Sequence, residues 1–381
     1  MLPAAKPDGP SLADVMESSL DALEGRANRL GLPRVDRAVV LLVDGLGADA
    51  LKARSGHART LAGALSARST IEAGFPTTTA SALASLTTGV LPGSHGMVGY
   101  SVLDAAHDRI VNQLSGWDDK LDPLTWQLKP TLFERASALG LGAYAVGTER
   151  YRDSGFTGAV LRGAQYVAGA SISERMHRAI DLLTTPGPPA LIYVYVPELD
   201  MAAHAHGWES ANWTAALETA DAAVRELTTA LGRKHGLLIT ADHGILDVPA
   251  RSHVLFDELP GLLDGVRFVA GEPRALQVHF EPDLPGRERE ALTSRWRASE
   301  ESRSWVATRQ EFIDSGWLGA TVAPEVVPRI GDLLIAARKS IAYYDSRTAS
   351  PSSLAMIGQH GSVTQTELRV PLLRFGAFAA A

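Results

Sequence analysis

The sequence predicts an α/β fold: a doubly wound, mostly parallel sheet with helices on both faces, carrying a smaller inserted α+β lobe. Three observations predict it. First, four short runs, RAVVLLV (Arg37–Val43), GAYAV (142–146), ALIYVYV (Ala190–Val196) and GLLIT (236–240), are apolar without alternation, as strands buried on both faces of a parallel sheet are. Second, helical stretches at 46–53, Thr79–Thr88, 131–139, 171–184 and 211–231 separate them, and strand–helix alternation marks doubly wound folds. Third, residues 250–350 break that rhythm. FVAGEPRALQVHF, a charged helix near 286–301, WVATRQEFIDSGWLG and DLLIAARKSIAYY read as a separate small lobe. Residues 1–249 and 351–381 then form the main domain, opened by an N-terminal helix at roughly 11–30 ahead of Pro33.

The bulk properties narrow the function. A chain of 381 residues with 45% apolar and 21% charged residues can bury a large core and is not a disordered one. A net charge of -7 argues against a nucleic-acid polymer as partner. Small anionic substrates stay open, because bound metal ions can dominate a local field. The absence of cysteine excludes disulfides, thiolate metal sites and a cysteine nucleophile, so any metal must be held by histidine and carboxylate. The segment MLPAAKPDGPSLADVMESSL has no basic region followed by an apolar stretch. No apolar run reaches the roughly 18–20 residues of a membrane helix. The expectation is a cytoplasmic protein with no membrane span; nothing in the sequence sets its oligomeric state.

The informative pattern is where the acids fall. Asp44 follows RAVVLLV, Asp200 follows ALIYVYVPEL and Asp242 follows GLLITA. Ligands of open parallel sheets bind beyond the carboxyl ends of the strands, so three strands deliver three aspartates to one rim. A single such Asp is usually a turn or cap residue. Two of these three carry histidines: Asp200 and His204 have the i,i+4 spacing that puts both on one helix face, and Asp242-His243-Gly244 sets two ligands on an irregular turn. His206 is a further histidine on the Asp200 segment. His360, in Gly-Gln-His-Gly, arrives from far along the chain. A nucleophile candidate lies in FPTTTASALASLTTG (75–89), where Thr77, Thr78 or Thr79 starts a helix of small residues. A hydroxyl there faces unpaired N–H groups and the positive end of the dipole, a setting that favours phosphate.

Taken in order, Asp44, FPTTTA…TTGVLPGSHG (75–96), DMAAHAHG (200–207), ADHG (241–244) and GQHG (358–361) resemble the alkaline phosphatase superfamily. The resemblance is strongest to its nucleotide pyrophosphatase/phosphodiesterase (type I phosphodiesterase) branch, over roughly 37–249 and 351–375. The resemblance implies an alkaline phosphatase-like fold and a centre of two divalent metal ions, usually zinc. One ion would be bound by Asp200, His204 and His360. The other would be bound by Asp44, Asp242 and His243, with Thr79 bridging toward substrate. In the family the reactive Thr lies three residues after the Pro and ten before the later Gly; both counts give Thr79. The pattern favours His204 over His206 as ligand. The well-known pyrophosphatases carry an Asn three residues beyond the nucleophile where this chain has Ala82, so either another donor replaces it, with Asn112 the candidate, or the substrate differs.

The implied activity is hydrolysis of a small phosphate ester, a phosphodiester or nucleotide pyrophosphate, through a covalent phosphothreonine. The absence of Cys and the Thr at the reactive position exclude a sulfatase built on a modified Cys, and they set the chain apart from the Ser-dependent phosphoglycerate mutases. A phosphomonoesterase or phosphonate hydrolase on the same site remains an alternative, as does a non-catalytic metal-dependent binding protein. The 250–350 lobe is expected to overhang the rim and shape the leaving-group pocket.

Overall fold

The structure, a computed structural model, describes residues 1–6, 9–66 and 69–380. Its centre is a six-stranded sheet in the order Leu373–Gly376, His235–Thr240, Arg37–Val43, Ala190–Val196, Gly142–Gly147 and Gln165–Ala168. Five strands run parallel; Leu373–Gly376 pairs antiparallel with His235–Thr240. Every residue of Arg37–Val43 is buried. Each fully buried aliphatic side chain contributes about 1.5–3 kcal/mol, which is why runs without alternation settle at the middle of the sheet. The two outermost strands carry no such signal in the sequence, because QYVA and LRFG are short and partly solvated.

Register positions the site. Val43 pairs with Val196, and Leu42 with Thr240. The three central strands therefore end level, and the residues that follow them emerge on one rim. Helices cover both faces. Those at Thr79–Thr88, Leu132–Ala138, Ile172–Thr184 and Ala211–Thr229 lie where expected, three of them begun by side-chain caps from Thr131, Ser171 and Ser210. The N-terminal helix is shorter than expected, Ala13–Glu24, because Gly25 takes a left-handed turn (φ 72°) that ends it.

Residues 266–337 build a second sheet, four-stranded and antiparallel, in the order Val266–Glu272, Ala275–Phe280, Leu333–Ala337 and Ser304–Thr308. Helices Gly286–Glu300 and Arg309–Asp314 accompany it. One face closes over its own core around Trp296, Leu276 and Tyr343. The other shares a core with Phe75, Val98, Val102 and Val111 from the first part of the chain. A hairpin, Ser101–Asp104 with Arg109–Asn112, joins the two parts: the Ser101 hydroxyl donates to the Gly271 carbonyl at 2.8 Å. A fully buried ion pair ties them further, with Arg274 gripping both oxygens of Glu367 at 2.8 and 2.9 Å. Among the described residues, no helix is long and apolar enough to cross a membrane.

Candidate metal centre and active site

The rim brings together six of the residues singled out from sequence. Asp44 follows its strand directly, its N–H bonded to the Val196 carbonyl at 2.9 Å. The chain then turns at Gly45 (φ 71°), where a side chain would lie 3.2 Å from Asp200; only glycine lets the two strand ends approach this closely. Asp200 and His204 sit on the helix Glu198–His206, whose first residue is anchored by the buried Arg175 guanidinium. His360 reaches the rim through a two-residue ladder, Gly358–Gln359 paired with Leu246–Asp247, which fastens the returning chain beside Asp242 and His243.

Asp44, Asp242 and His243 form one trio whose ligand atoms lie within 4.8 Å of one another; Asp200, His243 and His360 form a second. His243 belongs to both, its ring stacked on that of His360 with centroids 3.6 Å apart. His204 is not in the second trio. Its Nε2 faces the other oxygen of Asp200 at 3.2 Å, while Asp200 Oδ1 is 3.9 Å from His360 Nε2. Asp200 thus stands between His204 and His360.

The hydrogen bonds select the histidine tautomer. Nδ1 of His204 contacts the Gly358 carbonyl at 2.7 Å, that of His360 the Thr77 carbonyl at 2.8 Å, and that of His243 the Gly244 carbonyl at 3.2 Å. A carbonyl only accepts, so each Nδ1 carries a proton, and with a cation bound each Nε2 would turn its lone pair to that cation. On the acid side, Asp44 Oδ1, Asp200 Oδ1 and Asp242 Oδ2 are buried without a hydrogen-bond partner. Native proteins rarely leave buried acceptors so. Burial and the nearby Asp242 and Asp200 push the Asp44 carboxyl well above the usual carboxylate range. Burial works in the same direction on Asp200, but His204, His360 and His243 around it outweigh that and hold it low. Three buried carboxylate oxygens and three imidazole nitrogens fit divalent cations, with oxygen and nitrogen donors of the kind zinc takes.

Thr79 opens the helix Thr79–Thr88, and its Oγ lies 3.4 Å from His243 Nε2. Thr77 instead ties the segment to His360: its hydroxyl donates to the Ser362 carbonyl at 2.7 Å and accepts from the Gly361 N–H at 3.0 Å. Of the three threonines, Thr79 is the one whose hydroxyl has a hydrogen-bond-range contact with a histidine of the cluster. Asn112 is not brought here. Its Oδ1 caps a turn by accepting from Leu114 and Ser115 N–H at 2.8 and 3.1 Å, and it lines neither cavity of the site. His206 is exposed and Ala82 is buried in its helix.

Two cavities include Thr79 and Asp200 in their walls. One, of about 830 Å³, is bounded by the rim on one side and by Phe268, Glu272 and Tyr344 on the other. The second, of about 190 Å³, is a slot among Tyr151, Phe156, Tyr166 and Tyr195. Tyr195 was not singled out from sequence. Its hydroxyl donates a short hydrogen bond to Asp44 Oδ2 and leaves Oδ1 turned to the cluster. The available signal was the pair Tyr193 and Tyr195, two polar-tipped rings in a strand otherwise aliphatic.

The sequence matches the Type I phosphodiesterase / nucleotide pyrophosphatase family over residues 38–363. The chain belongs to this family. No curated protein sequence matches it. Among solved structures it is similar to murine ectonucleotide pyrophosphatase / phosphodiesterase 5, at 15% identity and TM-score 0.66 over 89% of this chain and 88% of that one. An inactive variant of that protein in complex with AMP also matches, at 14% identity and TM-score 0.65 over 89% and 88%. Phosphonoacetate hydrolase from Sinorhizobium meliloti 1021, in complex with phosphonoacetate, matches at 16% identity and TM-score 0.69 over 90% and 91%. At such identities the likeness speaks to the fold, which is that of the alkaline phosphatase superfamily.

Proposed function

We propose that this family member hydrolyses phosphodiester or nucleotide pyrophosphate bonds through a covalent phosphothreonine on Thr79, with two divalent metal ions, zinc by the donor set. The observation that carries the reading is the convergence of three partnerless carboxylate oxygens and three imidazole Nε2 atoms beside the Thr79 hydroxyl. Asp44, Asp242 and His243 would hold one ion, and Asp200, His204 and His360 the other, with His243 in reach of both. Bound there, the ions would neutralise developing charge and lower the pKa of the attacking hydroxyl and of the water that follows.

The chain's own groups do the rest. Thr79 Oγ loses its proton to solvent and attacks phosphorus; the Oγ–P bond forms as the bond to the departing oxygen breaks. N–H groups of the first turn of the helix Thr79–Thr88, unpaired by helix geometry, donate to the non-bridging oxygens. Water then cleaves the phosphothreonine and restores the hydroxyl.

Two features favour a diester over a monoester. A diester has two organic arms, and two cavities reach Thr79. The tyrosine-lined slot suits a flat ring such as a nucleobase, in keeping with the AMP held by the inactive murine relative. A monoester adds a negative charge, and the two arginines of the larger cleft are already paired, Arg267 with Asp108 and Arg347 with Asp345. We read residues 250–350 as a cap whose strand Val266–Glu272 walls the departing arm. Zinc-supplemented protein assayed on a nitrophenyl phosphodiester, the matching monoester and phosphonoacetate tests this. The diester should be turned over fastest, and Thr79→Ala should lose at least about 10³-fold. Turnover of none of them, with metal bound, contradicts the enzyme reading.

A further inference from the structure

Glu272 ends the strand Val266–Glu272 and lies in the wall of the larger cleft with Thr78, Thr79, Gln359 and His360. It is 6% exposed, and neither of its carboxylate oxygens has a hydrogen-bond partner. Among the described residues it is the one carboxylate with both oxygens buried and unpaired. It is absent from both metal trios. The fold makes room for it: Gly361 takes φ 129°, and a side chain there would meet Glu272 Cγ at 2.4 Å. The carboxyl thus rests against the segment that carries His360 and beside Thr78, one residue before the nucleophile. A buried carboxyl left unpaired is destabilising unless a ligand completes it.

We propose that Glu272 is the specificity residue for the departing arm of the substrate, and that this arm presents a hydroxyl or amino donor to it. Whether protonated or charged, a carboxyl keeps an accepting oxygen, so a donor on the ligand satisfies it in either state. An anionic departing group such as phosphate would meet an acceptor and, when Glu272 is ionised, a like charge. The inference rests on the phosphoester-hydrolase reading and refines it, from diester or pyrophosphate to a diester of a polyol or amino alcohol. The phosphorus–oxygen bond to that alcohol breaks, and the alcohol leaves with a proton from water.

Three AMP esters that differ only in the departing arm (glycerol, ethanolamine and propanol) test it, with ADP as the anionic comparison and AMP release followed by chromatography. The native enzyme should cleave the glycerol or the ethanolamine ester at least about tenfold more efficiently than the propyl ester, and ADP least. Which of the two leads assigns the donor. Glu272→Met, linear and apolar, should bring the preference close to one. Glu272→Gln, which keeps one accepting oxygen, should retain part of it. The melting temperature of Glu272→Met should not fall, because no hydrogen bond is lost. Equal cleavage of all three esters by the native enzyme overturns the inference alone, as does a preference that survives in Glu272→Met. No AMP released from any compound overturns the hydrolase reading and this inference with it.

Discussion

The rim of the central sheet and the strand Val266–Glu272 face the same cleft, but they hold their buried carboxylate oxygens differently. At the rim, Asp44, Asp200 and Asp242 each keep one oxygen fixed by a hydrogen bond or a histidine and leave the other free, and the free oxygens converge with imidazoles. On the lobe side, Glu272 stands outside both trios with both oxygens free. The difference teaches that an unpaired buried carboxylate has two meanings. Grouped with imidazole lone pairs it fits a cation; alone on a cleft wall it fits a ligand's hydrogen-bond donor.

That distinction can be broken by substitution. His243→Ala removes the residue common to both trios. Its metal content, read by elemental analysis, should fall below one ion per chain, and activity should drop at least about 10³-fold; Glu272→Met should keep its full complement. Retained metal in His243→Ala would dissolve the grouping. Chelation provides the next test. The metal-free protein should melt at a lower temperature and recover on adding zinc, since ligand at about 100 times its Kd stabilises by about 2.7 kcal/mol. A smaller effect is expected from Tyr195→Phe, which leaves Asp44 without its orienting donor: metal affinity should weaken about 10–100-fold in a competition titration.

The smallest effect separates Glu272 from the rim acids by pH. Burial, reinforced by Glu367, pushes the Glu272 carboxyl up to about 8 from an ordinary 4.5; the Thr78 hydroxyl is nearby but is not hydrogen-bonded to it. The folded protein therefore binds this proton more tightly than the unfolded chain. Its contribution to stability is full below about 4.5 and is lost as pH rises toward about 8. Native protein and Glu272→Gln should thus diverge in denaturant unfolding, the variant losing less stability across that window. Parallel curves would show that Glu272 has a partner.

Much of the rim was legible in sequence because strand ends are. An uninterrupted aliphatic run followed by an acid fixes both the strand and the direction its last residue faces, so the sequence alone places Asp44, Asp200 and Asp242 on one edge. His204 and Thr79 followed from helix spacing and from family counts. The partition of histidines was less legible: that His243 lies within reach of both trios depends on its ring stacking on His360, a contact between residues far apart in the chain. Asn112 shows the same limit. Its residue type suits a donor to substrate, but the hairpin turn already uses its side chain. Glu272 and Tyr195 carry no decisive local signal, since their roles arise from which walls the fold brings together.

The central claim is that Thr79 carries the phosphoryl group. Zinc-loaded enzyme would be mixed with a nitrophenyl phosphodiester, quenched in acid during turnover, digested and analysed by mass spectrometry. The account predicts phosphorylation, retaining the non-departing ester arm, on Thr79 in the native protein and on no residue in Thr79→Ala. An adduct on Thr77 or Thr78, or undiminished turnover by Thr79→Ala with no adduct at all, would contradict it.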